Sequence, residues 1–171
     1  LGGSLAHSDP AADYPAAILA LDADIQLRGS KGPRVVKARD FFQGLFTVDL
    51  APDEIIIGVH FVPVKTAAYA KLHQRASHFA IVGVAAILDV KDKTIQSARI
   101  GLTGASSHAT RLANVEKALA GKPLSAKTIQ DAARNAGAGL ENVNSDIHAS
   151  EEYRRAMVAV FVERALMGAM A

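Results

Sequence analysis

The stretch Leu1-Gly2-Gly3-Ser4-Leu5-Ala6-His7-Ser8-Asp9-Pro10-Ala11-Ala12-Asp13-Tyr14-Pro15 opens a chain of 171 residues. Paired glycines let backbone N–H groups come close to an anion, because no Cβ stands in the way. Ser4 adds a hydroxyl donor, and Asp13 offers an acceptor to a ribose or another polar group. The same residues also read as a Gly-Gly turn followed by an Asp helix cap. Spacing alone favours that plainer reading, since Gly pairs are common in turns. Asp13-Tyr14-Pro15 ahead of the apolar Ala16 to Leu21 is a helix-start signal. Leu1 to Ser4 read as the interior of a loop.

Working outward, residues 1–63 mix a short helix with strands. Asp24 to Arg28 alternates, with Ile25 and Leu27 on one face. Gly29-Ser30-Lys31-Gly32 reads as a hairpin turn and Arg34 to Lys37 as the return strand. Ala38 to Gly44 reads as a short helical or looped segment. Ile55 to Phe61 is a β-branched strand after the turn Pro52-Asp53-Glu54. From residue 64 the rhythm changes. Ala68 to Leu72 is a short strand candidate, and Phe79 to Val90 a long apolar one. Lys91-Asp92-Lys93 turns the chain into Thr94 to Thr103. Three helices follow. The first runs from about Thr110 to Ala120, with Leu112, Val115 and Leu119 on one stripe. The second is capped by Ser125, and the third by Ser150 with Glu151 and Glu152 in its first turn, where the helix dipole favours acids. In the third, Tyr153, Met157, Val160, Phe161 and Leu166 are the apolar positions. Residues 137–149 form a Gly/Asn/Ser-rich loop. This order predicts an α+β fold.

Composition narrows the function. Half of the residues are hydrophobic, enough for a sizeable core, so a disordered chain is excluded. No apolar run approaches the roughly 20 residues of a membrane span, and no signal-peptide pattern is present. The chain has no Cys. That excludes disulfides, thiolate zinc sites and Cys-ligated iron–sulfur clusters within it, and it is compatible with a reducing, cytoplasmic compartment. Residues 1–63 carry 5 Lys/Arg against 8 Asp/Glu, and residues 64–171 carry 14 against 9. The basic residues are scattered and Trp is absent, unlike the dense basic stripe of a nucleic-acid binder. A protein docking surface explains the asymmetry at least as well.

Several stretches together resemble the FAD-binding medium subunit of molybdenum hydroxylases, the family of carbon monoxide dehydrogenase and of the xanthine dehydrogenase flavin domain. Gly2 to Pro15 is similar to that family's second FAD-binding loop. Asp40-Phe41-Phe42-Gln43-Gly44-Leu45-Phe46 and Leu50-Ala51-Pro52-Asp53-Glu54-Ile55-Ile56 resemble the segments after its hairpin. Tyr69-Ala70-Lys71, Arg75 and Phe79-Ala80 resemble its Tyr-x-Lys-x(3)-Arg-x(3)-(Tyr/Phe)-Ala run. Gly101-Leu102-Thr103, Arg111, Glu116 and Leu119 resemble a run of its C-terminal domain, and Tyr153-Arg154 the start of its last helix.

The resemblance implies a remnant of the second FAD-binding subdomain over residues 1–63. It implies a flavoprotein C-terminal-like domain over residues 64–171, with a three-stranded antiparallel sheet packed on three helices. It implies FAD held by Leu1, Gly2, Gly3, Ser4, Asp13, Ile56, Lys71 and Phe79, with Lys71 near the flavin ring and Phe79 at its face. Ser4 replaces a frequent Asn of the family. Phe79 replaces a frequent Tyr, which keeps stacking but removes a hydroxyl. The family's first Gly-rich loop would lie upstream of Leu1, so the resemblance covers only the rear part of the subunit. The implied function is an oxidoreductase subunit that passes electrons from iron–sulfur clusters of a small subunit to an external acceptor. The molybdenum cofactor would lie in a large subunit. The alternative is a structural subunit-docking module without flavin.

Other residues carry less. His73 and His78 lack a third ligand at metal-binding spacing. His7 beside Asp9 reads as a loop hydrogen bond, and Ser106-Ser107-His108 as a loop before a helix. Phe79, without the resemblance, reads as a core strand residue. Arg154 and Arg155 read as a salt-bridged helix face with Glu151 and Glu152.

Overall fold

Two antiparallel sheets, bridged by one helix, organise residues 1–171 in the computed structural model. The elements run α1 (Gly2–His7), α2 (Asp13–Ala20), β1 (Asp24–Gly29), β2 (Gly32–Lys37), α3 (Ala38–Phe41), β3 (Phe42–Gly44), β4 (Thr47–Val48) and β5 (Ile55–His60). They continue with β6 (Ala67–His73), β7 (Ala80–Lys91), β8 (Thr94–Thr103), β9 (Thr110–Arg111), α4 (Ala113–Leu119), α5 (Ala126–Ala133) and α6 (Glu151–Met170). The front sheet has the order β2-β1-β5 and the rear sheet β6-β7-β8-β9, with β3 and β4 pairing apart. The α+β architecture expected from the sequence is found. Three long antiparallel strands pack on three helices, and the two-residue β9 adds a short edge.

Strand β1 buries Ile25 and Leu27 and exposes Gln26 and Arg28, as its alternation requires. They pack with Leu5, Ile18, Leu19 and Phe41 into the front core. Strand β7 shows no such alternation because both of its faces are covered. Val82, Val84, Ala86 and Leu88 join the rear core with Val158, Val162 and Leu166 of α6. Ala85 and Ile87 meet Ala16 and Ala20 of α2 on the opposite face. The β7–β8 turn places Asp92 and Lys93 at positive φ, the geometry that matches hairpin twist. Ser125 and Ser150 cap α5 and α6 by accepting from Thr128 N and Tyr153 N.

Helix α2 is bound to the rear sheet through its backbone. A Cβ built on Gly101 of β8 would overlap Ala16 O, so this approach requires glycine. Arg99 Nε donates to Ala20 O at 2.9 Å and Arg111 Nη1 to Leu19 O at 3.2 Å. Arg99 thus satisfies a carbonyl at the helix C-terminus, and Arg111 adds a second donor to Leu19 O, which already accepts from Asp22 N. Ahead of α2, Thr103 Oγ1 lies 2.9 Å from Pro10 O and 2.8 Å from Ala12 O. Gly104 N donates to Pro10 O, and Ala80 N to Ala11 O.

Four expectations are corrected. Leu1 to Ser4 do not form a loop: Gly2, Gly3 and Ser4 are the first residues of α1, with Leu1 at its N-cap. The helix expected from Thr110 starts at Ala113. Thr110 and Arg111 instead pair with Leu102 and Gly101, and Leu112 N still donates to Ile100 O. On α6, Phe161 and Leu166 are buried and Met157 and Val160 pack against the core as expected, with Val158, Val162, Ala165 and Ala169 also buried, but Tyr153 is half exposed. Finally, Arg154 is buried rather than on a solvated face. It donates to Ile81 O, Gly104 O and Asp146 Oδ2 at 2.7–3.0 Å. Its Nε has no partner. Arg155 does pair with Glu151.

Two outcomes follow from these contacts. Gly101→Ala forces α2 off β8 and should cost about 1–3 kcal/mol, the range for overpacking, read as a lower urea midpoint. The second concerns Asp146. Burial pushes its carboxyl up, but N–H donors from His148 and Ala149 and the Arg154 guanidinium outweigh it and hold the carboxyl below its ordinary value. A carboxylate held down stabilises the fold above its unfolded-state value, about pH 4, and that stability is lost as pH falls through the native value. Asp146→Asn should flatten this part of the acid unfolding profile. It should also cost about 1–3 kcal/mol at neutral pH, because a buried donor of Arg154 loses its partner.

Candidate functional site

The start of α2 and the end of β6 are brought together by the tethering of residues 10–12. Asp13 is the first helical residue of α2. Tyr69 and Lys71 are two apart on β6 and so share one face of the strand. Asp13 Oδ1 accepts from Tyr69 Oη at 2.6 Å and Oδ2 from Lys71 Nζ at 2.8 Å. Lys71 Nζ also donates to His78 O at 2.9 Å. The phenol of Tyr69 is pushed far above its ordinary range, first by burial and then by the Asp13 carboxylate.

Asp13, Lys71 and His78 border an open cavity of ≈ 430 Å³, lined also by Ser4, Ala12, Tyr14, Ser77 and Phe79. It therefore collects residues from α1, α2, β6 and the β6–β7 loop. Its chemistry is mixed: two serine hydroxyls, a carboxylate, an ammonium and an imidazole lie beside the Tyr14 and Phe79 rings. Two of the three Lys71 protons are already donated, which leaves one for a ligand. A polar ligand with a flat ring and acceptor groups fits such a wall.

Of the eight residues singled out in the sequence, Ser4, Asp13, Lys71 and Phe79 line this cavity. Leu1 is exposed at the α1 N-cap. Gly2 packs on Ile56 of β5, with a built Cβ 3.7 Å from Ile56 Cβ, and Gly3 faces open space. Gly2 and Gly3 thus lie one to two residues before Ser4 on α1, while Ile56 supports that helix from beneath. Phe79 is not a core strand residue: it precedes β7 and is 48% exposed. Tyr14 and Tyr69 lie inside quoted stretches without having been singled out as site residues, and Ser77 and His78 emerge only from the geometry.

The remaining candidates are structural or superficial. His73 and His78 stack with ring centroids 4.9 Å apart, and no three His, Cys, Asp or Glu residues converge. Asp9 Oδ1 accepts from Ala11 N, a local turn contact, and the His7 ring lies against Phe46. Ser107 Oγ meets His108 Nδ1 at 3.1 Å with no third group to orient the pair. Arg111 Nε binds Glu116 Oε1, which also accepts from Ile100 N, so both residues anchor α4 to the rear sheet.

Residues 1–65 match the family described as FAD binding domain in molybdopterin dehydrogenase. Residues 67–169 match that described as CO dehydrogenase flavoprotein C-terminal domain. The chain is 35% identical over 171 residues to the nicotine 6-hydroxylase medium subunit of Paenarthrobacter nicotinovorans, covering 99% of this chain and 60% of that one. It is 35% identical over 169 residues to the glyceraldehyde dehydrogenase medium chain of Sulfolobus acidocaldarius, covering 96% and 59%. The crystallised carbon monoxide dehydrogenase of Hydrogenophaga pseudoflava, in a form lacking the Mo-pyranopterin moiety, superposes with a TM-score of 0.91 at 32% identity, covering 98% and 59%. The chain therefore spans about 60% of the length of these relatives. With both of its halves matched in order, the chain belongs to the FAD-binding flavoprotein family of the molybdopterin dehydrogenases.

Proposed function

We propose that this chain is part of the FAD-binding electron-transfer subunit of a molybdenum-containing hydroxylase. One observation carries the reading. Ser4, Asp13, Lys71 and Phe79 come from four separate parts of the chain and meet on one cavity, in a chain of FAD-binding family. Residues 1–63 would supply the flavin-binding face, with Leu1, Gly2, Gly3 and Ser4 beside it and Ile56 supporting α1. Residues 64–171 would supply Lys71 and Phe79.

The donor set fits FAD. Lys71 offers positive charge and a free proton to the acceptor edge of a flavin ring. Phe79 offers a π face, and its exposure leaves that face open. Asp13 holds Lys71 in place. FAD, when bound, supplies the electron-carrying chemistry; the protein sets its position and potential. The chain would work beside a large molybdopterin subunit and a small iron–sulfur subunit, in the cytoplasm. The Cys-free composition supports clusters held elsewhere. No helix is long and apolar enough to cross a membrane. The net positive rear half keeps a docking module without flavin as the competing reading.

The intact subunit should be isolated with flavin absorbance, and flavin-free protein should regain it with FAD; protein that stays colourless in excess FAD supports the docking module instead. In the FAD-loaded subunit, Lys71→Met should make the flavin potential more negative. The expected change is roughly 30 mV, the two-electron equivalent of about 1.4 kcal/mol. It arises because the variant removes a cation and leaves the Asp13 charge without a counter-ion beside the cavity. An unchanged potential removes Lys71 from the flavin's surroundings.

A further inference from the structure

We infer that Tyr69 is a positioning residue: its hydroxyl fixes the Asp13 carboxylate, which in turn holds the Lys71 ammonium at the cavity wall. Its effect on flavin rests on the FAD reading above, whereas the geometry stands without it.

Tyr69 lies mid-strand on β6, opposite Ala85. Its ring passes over Gly83 of β7, where a built Cβ would overlap the phenol oxygen. The missing side chain is thus the slot through which Tyr69 reaches α2. At the end of that slot stands Asp13, both of whose oxygens are taken, one by Tyr69 and one by Lys71. A carboxylate held at both oxygens cannot rotate about its terminal torsion, a broad one when free. Lys71 is caught between that carboxylate and His78 O, which limits a long and flexible side chain to one position. Removing the phenol oxygen frees one carboxylate oxygen. Lys71 then follows Asp13 as it turns, and the cavity loses a fixed positive charge. Tyr69 does not line the cavity itself, so it acts through Asp13 and Lys71. The charged groups facing the phenol are Asp13 from α2 and Lys71 from its own strand.

The test uses the whole chain, Tyr69→Phe and Asp13→Asn. Phe keeps the ring in the Gly83 slot, so the fold is preserved. In flavin-free protein, phenolate absorbance is followed as pH is raised. One of the three tyrosines should stay un-ionised beyond the range of free phenols. That signal should vanish in Tyr69→Phe and move to lower pH in Asp13→Asn, because the carboxylate that accepts from the phenol has lost its charge. A late-ionising phenol indifferent to Asp13→Asn overturns the inference. With FAD, Tyr69→Phe should weaken binding about fivefold, the equivalent of one hydrogen bond of about 1 kcal/mol. It should shift the flavin potential in the same direction as Lys71→Met, and add nothing to it in the double variant. Unchanged affinity and potential in Tyr69→Phe also overturn it. If the unsubstituted chain takes up no FAD, the FAD reading fails, and the phenol titration alone decides the role of Tyr69.

Discussion

The backbone of α2 lies directly on β8, and most of the architecture depends on that approach. Helices usually pack on sheets through the side chains of their apolar stripe. Here Gly101 removes the side chain from between them. Arg99 and Arg111 then secure the last carbonyls of the helix, and Thr103 and Gly104 secure the segment before it. Because Ile18 and Leu19 on the same helix belong to the front core, this one docking event joins both cores. The continuous apolar burial of β7 follows from it, since the second face of that strand is covered by α2.

The site is a by-product of the same docking. The chain segment from Pro10 to Ala12 is held by backbone and hydroxyl contacts, and Asp13 follows it immediately. Its position against β6 is therefore set by residues with no ligand role. Arg111, Glu116, Gly101 and Thr103 serve packing and tethering, whereas Lys71 and Phe79 line the cavity. Arg154 extends the support from behind, holding the carbonyls of Ile81 and Gly104 and the loop around Asp146.

How much of this was legible in the sequence depended on how local its cause was. The β7–β8 hairpin announces itself through long apolar runs on either side of a polar turn. The Ser125 and Ser150 caps are fixed by hydrogen bonds within three residues. Strand β9 is too short to have a period. Helix α1 begins with two glycines, poor helix formers that only tertiary contact with β5 can favour. Arg154 looks like any surface arginine, since burial of a cation depends on carbonyls distant in sequence. Of the four cavity residues, Ser4 and Asp13 were legible from the chemistry of the opening stretch, and Lys71 and Phe79 through resemblance alone. The clamp that links them was not, because Asp13 and Lys71 are 58 positions apart.

The slot at Gly83 has a consequence for how this family can drift. A glycine in mid-strand and a tyrosine on the neighbouring strand occupy one volume between them. Any side chain at position 83 needs the room that the Tyr69 phenol fills, and a smaller residue at 69 leaves a void that a larger residue at 83 could take. The two positions should therefore change as a pair across relatives. Where glycine 83 is replaced, the acid at position 13 loses its phenolic partner by descent, and another donor must hold it.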